Sequence, residues 1–345
     1  LEPGAELVAK EGAFQAQGDA LLHFFSCTNI VVRGGAGSVL RMRRSDYHDK
    51  TKYLWSEWRH ALELLSCGNV RLEGLTVAES GGDGLYLGID WKHQNFGPCR
   101  NVTVRNCVFD RNYRQGISVI TADGLLIEDT VMQDTWGTPP AAGIDFEPNR
   151  AVEKLKRIVL RNCRSDRNQG SGYETYSAQI NGKSEPIDVT LDRCTSDNSY
   201  FGFCYVTTSK DGTHPRGRYV LNDCTFTHAR KMAARIQSAP EGSVDFEFHR
   251  CRFVDNNSKA DGFAWTPAVQ LLHESPTGMP TDGVLLDDCY VKQLYPGDWF
   301  SRNVAKKGAP KNVRGKVTVV DHAGKESVHV LDDAWAANYF AAPKK

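Results

Sequence analysis

One short pattern recurs along this chain and leaves few architectures open to it. A run of alternating apolar and polar residues leads to one or two polar residues, and then to a cysteine or a residue in its place. The slots fall at Leu75, Cys107, Thr130, Cys163, Cys194, Cys224, Cys251 and Cys289, with steps from 23 residues (107 to 130) to 38 (251 to 289). The runs before them include Val70-Arg71-Leu72, Val102-Thr103-Val104, Leu125-Leu126-Ile127, Ile158-Val159-Leu160 and Val189-Thr190-Leu191. Period-two alternation marks strands, and a repeat of about 20–50 residues built on short strands marks a solenoid. A single coil cannot bury its inner face. Stacked coils join those faces into one core and pair each strand with the strands above and below. The expected fold is all-β: one parallel β-helix domain of about nine to ten turns, with the helix over 1–300 and a capping segment over 301–345.

Nine of the ten cysteines fall into two columns, Cys27, Cys67 and Cys99 in one and the six slot cysteines in the other, leaving Cys204 apart. A disulfide framework is one reading of ten cysteines. A ladder of small, buried, free thiols suits their inward phase better. Asn29, Asn69 and Asn101 form a further column, expected to be an amide ladder at a tight turn. With 42 basic and 42 acidic side chains the chain lacks the basic excess of a nucleic-acid binder. No apolar run approaches the roughly 20 residues that cross a bilayer. The opening Leu1-Glu2-Pro3-Gly4 reads as the middle of a strand-turn unit, so a processed start is expected and the missing leader carries no information on location.

The chemistry is expected on a second set of strands, usually introduced by glycine: Gly84-Leu85-Tyr86-Leu87, Gly116-Ile117-Ser118-Val119, Gly143-Ile144-Asp145-Phe146-Glu147, Gly172-Tyr173-Glu174-Thr175-Tyr176 and Gly202-Phe203-Cys204-Tyr205. Ala61-Leu62-Glu63-Leu64 aligns before them and Ala233-Ala234-Arg235-Ile236-Gln237 after. Strand side chains alternate between faces. The column Glu63, Tyr86, Ser118, Asp145, Glu174, Cys204, Arg235 then points outward, flanked by Glu147, Tyr176 and Gln237. Asp145 and Glu174 come one coil apart, roughly 5 Å between backbones, with Glu147 two residues along and Asp83 in the turn two coils earlier. Carboxylates this close cannot all ionise cheaply, so one should keep a proton beside an ionised partner. Glycoside hydrolysis needs that pair. A solvated acidic stripe and a Ca²⁺ site are the other readings of the same residues.

Extra residues enter after these second strands, at Ile89 to Pro98, Pro148 to Lys154, Ser177 to Pro186 and Thr207 to Gly217, and are expected to wall a groove along the helix axis. An earlier insertion, Arg43 to Trp58, carries Tyr53, Trp55 and Trp58. Trp91, Phe96, Tyr113, Trp136 and Tyr176 add flat faces for sugar rings. Arg59, His60, Arg114, Lys92 and His93 are placed to orient substrate or to bind the acidic groups of a charged glycan. An ion pair with Asp83 or Asp145 is the alternative for Arg114, and a hydrogen-bonded structural role that for His60.

These turns resemble the repeats of the pectate-lyase-like superfamily. More closely, Gly82-Asp83-Gly84-Leu85-Tyr86-Leu87-Gly88, Arg114-Gln115-Gly116-Ile117-Ser118-Val119 and Ala142-Gly143-Ile144-Asp145-Phe146-Glu147-Pro148-Asn149 look like those of bacterial β-helix proteins associated with polysaccharide breakdown. The resemblance covers nearly the whole chain and implies right-handed coiling, a secreted, periplasmic or cell-surface setting, and a carbohydrate polymer or oligosaccharide as partner. It spans hydrolases, lyases and epimerases, so the fold does not choose the reaction. The Asn-Thr-Asp, Gly-His-Gly and Arg-Ile-Lys motifs of polygalacturonases and the Asp-Pro-His of alginate epimerases are absent, which weakens pectin and alginate as substrates. The resulting expectation is a glycoside hydrolase using Asp145 and Glu174, with Glu147 or Asp83 as the alternative partner. Glu63, Tyr86, Tyr176, Arg235 and Trp91 would contact the sugar alongside Arg59, His60 and Arg114, with no cofactor unless Ca²⁺ binds. A polysaccharide lyase or uronan epimerase on an acidic glycan is the second reading, and a non-catalytic glycan-binding solenoid the third.

Overall fold

The computed structural model describes residues 1–207, 213–257, 266–272, 281–300 and 310–341 of the 345-residue chain. Each full coil contributes three short strands. The first two are joined around a bend into one 20-stranded sheet, and the third builds a nine-stranded parallel sheet. That second sheet runs Leu22–Phe25, Leu62–Leu65, Leu85–Gly88, Ile117–Val119, Ile144–Phe146, Tyr173–Tyr176, Phe203–Val206, Ala234–Gln237 and Val269–Leu272. It extends the aligned strands by one rung at each end. Pairing is parallel until Glu326–Leu331 folds back antiparallel on Arg314–Val320, followed by the helix Asp333–Ala341. The chain is a right-handed parallel β-helix. Among the described residues no helix is long and apolar enough to cross a membrane.

The bends explain the polar residue before each slot. Asn106, Asp129, Asn162, Arg193, Asp223, Arg250 and Asp288 all have φ between 49° and 53°. This left-handed region is most accessible to Asn and Asp, whose short side chains bond locally. The slot residue then turns inward. All ten cysteines are free, and all but Cys27 are buried. The thiols of Cys163, Cys194, Cys224 and Cys251 donate to Ile127 O, Leu160 O, Leu191 O and Leu221 O of the coil before, at 3.3–3.5 Å. The column is therefore a ladder of thiols that pack and also bond. Asn69 Nδ2 donates to Asn29 Oδ1 and Asn101 Nδ2 to Asn69 Oδ1, each at 3.1 Å, forming the amide ladder.

Inside, Leu62, Leu85, Ile117, Ile144, Tyr173 and Phe203 are at most 1% exposed. Toward the C-terminus the core turns aromatic, with Tyr219 stacked on Phe246 and Phe226 on Phe253 at centroid distances of 5.7 and 5.9 Å. Buried phenols need partners. Tyr173 donates to Cys163 O and Thr195 O, Ser177 donates to Tyr205, and Tyr219 pairs with Thr175. The rigid stack leaves the outer face of the second sheet as a platform.

Candidate active site

Register on that platform follows the alternation. Glu63 pairs with Tyr86, Tyr86 with Ser118, Ser118 with Asp145, Asp145 with Glu174, Glu174 with Cys204 and Cys204 with Arg235. His23 precedes this column and Gln270 follows it. The insertions after Leu85–Gly88, Ile144–Phe146 and Tyr173–Tyr176 leave at one phase, while part of the fourth, 208–212 after Phe203–Val206, lies outside the described residues.

Arg114 organises the carboxylates. Its backbone N–H donates to Gly82 O at 3.0 Å, in the turn before Ile117–Val119. From there Nη2 donates to Glu147 Oε2 at 2.7 Å, Nη1 lies 3.8 Å from Asp83 Oδ2, and Nε lies 4.0 Å from Glu57 Oε1. Gln115 is a clip on the neighbouring coil: Nε2 donates to Asp145 Oδ2 at 3.0 Å while Oε1 accepts from Ala142 N at 2.8 Å. His60 Nδ1 accepts the Asp83 backbone N–H at 3.0 Å, and its ring stacks on Tyr86 at 4.6 Å.

Asp83 and Asp145 have no solvent exposure. Burial pushes the Asp83 carboxyl up to about 7, with Arg114 opposing the shift. Burial, then the neighbouring Glu147 and Glu174, raises Asp145 well above the usual carboxylate range. Glu174 is raised too, by burial, against the pull of Ser171 and Arg235. Burial and then Arg114 depress His60 to about 3, so its ring is neutral. Although burial alone would lower the Arg114 guanidinium, Asp83 and Glu147 outweigh it and raise its hold on the proton.

Two buried polar atoms here have no hydrogen-bond partner, Arg114 Nε and Asp145 Oδ1, while Ser118 bonds to Asp83 and Ser171 to Glu174. Nearly all buried polar atoms in folded proteins are paired, and exceptions gather where a ligand completes them. The arrangement can hold protons on buried carboxyls beside a carboxylate positioned by a guanidinium. Among the described residues no group of three or more His, Cys, Asp or Glu side chains is arranged to hold a metal ion. The Arg114 guanidinium stands among Glu147, Asp83 and Glu57.

The structure corrects some expectations. Asp145 does not stand on an open ribbon, because Gln115 reaches it from the coil before, and Asp83 in its turn is approached by Arg114 from the coil after; the Glu147 side chain remains 20% exposed. Arg59 is not a substrate ligand. It is 1% exposed, donates Nη2 to Leu54 O, Ala16 O and Gln15 O at 2.8–3.4 Å, and packs against Tyr47 and Tyr53, pinning the Arg43 to Trp58 insertion. Arg59→Met is expected to cost roughly 3 kcal/mol by stranding those carbonyls, read as a lower urea midpoint with glycan affinity unchanged. His60 is 3% exposed and acts on Asp83 rather than on a sugar. Glu63 is engaged by His23 Nδ1 at 2.5 Å. Arg235 donates to Gln237 Oε1 at 2.9 Å and lies over Phe201, while keeping part of its surface open. Tyr86 and Tyr176 are half-buried. Trp91 is exposed on its wall loop, with the Arg150 guanidinium 3.7 Å from its ring centroid and Phe96 beside it. Sequence reasoning gave no role to Gln115 and did not count Glu57 among the carboxylates. Gln115 shares the pre-glycine position of Asp83, so the alignment that singled out Asp83 carried the signal.

A family model described as "Right handed beta helix region" matches residues 51–217. The chain is 24% identical over 209 residues to the SPbeta prophage-derived uncharacterized protein YorA of Bacillus subtilis (strain 168), a match covering 56% of this chain and 35% of that protein. It thus spans about a third of that relative's length. The A-module of the Azotobacter vinelandii mannuronan C-5 epimerase AlgE4 superposes with a TM-score of 0.56 at 12% identity, over 89% of this chain and 73% of that one. An exopolygalacturonase from Thermotoga maritima does so with a TM-score of 0.51 at 12% identity, over 95% and 86%. At such identities the likeness is one of fold. By its repeats, its register and these superpositions, the chain has the right-handed parallel β-helix fold.

Proposed function

We propose that this chain is a carbohydrate-active enzyme that cleaves a polysaccharide or oligosaccharide by glycoside hydrolysis at the Asp83, Asp145, Glu147 and Glu174 cluster, outside the cell or at its surface. The observation that carries this reading is the pair of buried carboxyls, Asp83 and Asp145, that hold their protons beside Glu147, which Arg114 positions at 2.7 Å. Asp83 is the general acid: it keeps a proton to about neutrality, with Ser118 bonded to it and Oδ2 3.3 Å from His60 Nδ1 and 3.8 Å from Arg114 Nη1. Glu147, held at 2.7 Å by Arg114 and partly open, is the carboxylate that receives the water or the sugar. Asp145 and Glu174, paired in register, form the adjoining carboxyl pair that a sugar bound over the sheet would meet. The shared fold of an exopolygalacturonase and a mannuronan epimerase supports the carbohydrate part of the reading. A lyase needs a cation free to neutralise a uronate. Arg114 is already engaged by carboxylates and Arg59 by backbone carbonyls, which takes up two of the three cations the lyase reading would use and leaves Lys92, over the Phe25 ring, as the third.

Screening neutral, uronate-containing and sulfated glycans for both reducing ends and ultraviolet absorbance tests this. Reducing ends without new absorbance are expected, with activity falling about tenfold per pH unit once Asp83 loses its proton above about pH 7. Products with a new double bond would replace hydrolysis by elimination, and a flat profile across neutral pH would remove Asp83 from the acid role.

A further inference from the structure

Next to the carboxylate cluster lies a second hollow of about 240 Å³. Ser56, Gly81 and Tyr113 line it, while Glu57, Asp83 and Arg114 of the cluster stand one or two residues along the same three segments. Its basic side chains are Arg44, His48 and Lys50, its rings are Tyr47, Trp55 and Tyr113, and no carboxylate lines it.

Arg44 is the telling residue. It is 8% exposed and forms no ion pair within 4.0 Å among the described residues, Glu79 and Asp110 acting on it only from farther off. Nη1 donates to Arg111 O at 2.9 Å and Trp136 O at 3.4 Å, with the guanidinium 3.6 Å from the Trp136 ring centroid. No hydrogen bond engages its Nε or Nη2 among the described residues. A buried guanidinium is costly unless an anion meets it, and its planar fork matches a carboxylate. Trp55, 53% exposed, and Tyr113, held edge-on by His48 at 5.3 Å, bring flat faces to the same space. At about 240 Å³ the hollow is sized for one sugar ring rather than a polymer.

We propose that this hollow binds one anionic sugar residue of the uronate type, at a site separate from the place of cleavage. That the ligand is a sugar rests on the glycan activity proposed above; its charge rests on Arg44 and Lys50.

Glucuronic acid titrated into the full chain at constant ionic strength, with tryptophan fluorescence as readout and glucose as the neutral control, tests the site. A saturable change is expected with glucuronate alone. It should weaken at least tenfold in Lys50→Ala and Arg44→Gln and persist in Asp145→Asn. Lys50 is exposed and its substitution spares the fold, so it decides the matter if Arg44→Gln does not fold. Equal responses to the two sugars, no response to glucuronate, or unchanged affinity in Lys50→Ala would overturn the site. Glucuronate binding without cleavage of any glycan would keep it and discard the hydrolase; cleavage without glucuronate binding would do the reverse.

Discussion

Asp83→Asn is expected to lower turnover by about 10²–10⁴-fold and, in the same protein, to raise stability at alkaline pH. Both effects come from one cause. The ordinary value for this carboxyl is 3.8 and in the fold it is pushed up to about 7. Between those values the folded chain keeps a proton that the unfolded chain has released. Stability contributed by this group is therefore intact below about pH 4 and declines as pH rises, and the deficit is complete above about pH 7. Three units at about 1.4 kcal/mol each give a penalty on the order of 4 kcal/mol. Asparagine cannot ionise and removes it. Urea midpoints of the two proteins should coincide below about pH 4, separate between about pH 4 and 7 and stay a constant distance apart above that, with the inactive variant the more stable. Asp145→Asn should move the same way, since burial and two neighbouring carboxylates raise it as well. Parallel pH curves for wild type and Asp83→Asn would show that the carboxyl is solvated and not the proposed acid.

Arg114→Met should have the opposite sign and a comparable size. The guanidinium lies within 4.0 Å of oxygens on Glu147, Asp83 and Glu57. Taking away the cation leaves those groups facing one another with little water, a loss of about 3–5 kcal/mol when a buried pair is broken from one side. The loss should shrink in acid, where the carboxyls protonate. It should also shrink in Arg114→Met, Asp83→Asn, because the second change removes one of the stranded charges; the double-mutant cycle measures that coupling. A loss independent of pH and additive with Asp83→Asn would reduce Arg114 to a packing residue and remove the support it lends to Glu147.

These two residues also mark where sequence reading succeeds and where it stops. That Asp145 lies beside Glu174, one coil above Ser118, was legible because a strand's period is two and glycine marks the start of the central rungs. The thiol and asparagine columns were legible for the same reason, each tied to a bend that only certain residues enter. What could not be read was how far a long side chain reaches from one coil to another. Arg59 and Arg114 both precede second-sheet strands, yet one is drawn under the Arg43 to Trp58 insertion onto backbone carbonyls and the other spreads over the carboxylates.

The amino-acid sequence by itself determined the coil, its register and which side chains share a face, because those follow from local alternation and from bends made by a few residue types. Only the tertiary structure decided which of the outward carboxyls lose water and keep their protons. Burial is set by side chains arriving from other coils and by the path of inserted loops, and neither has a local code in the chain.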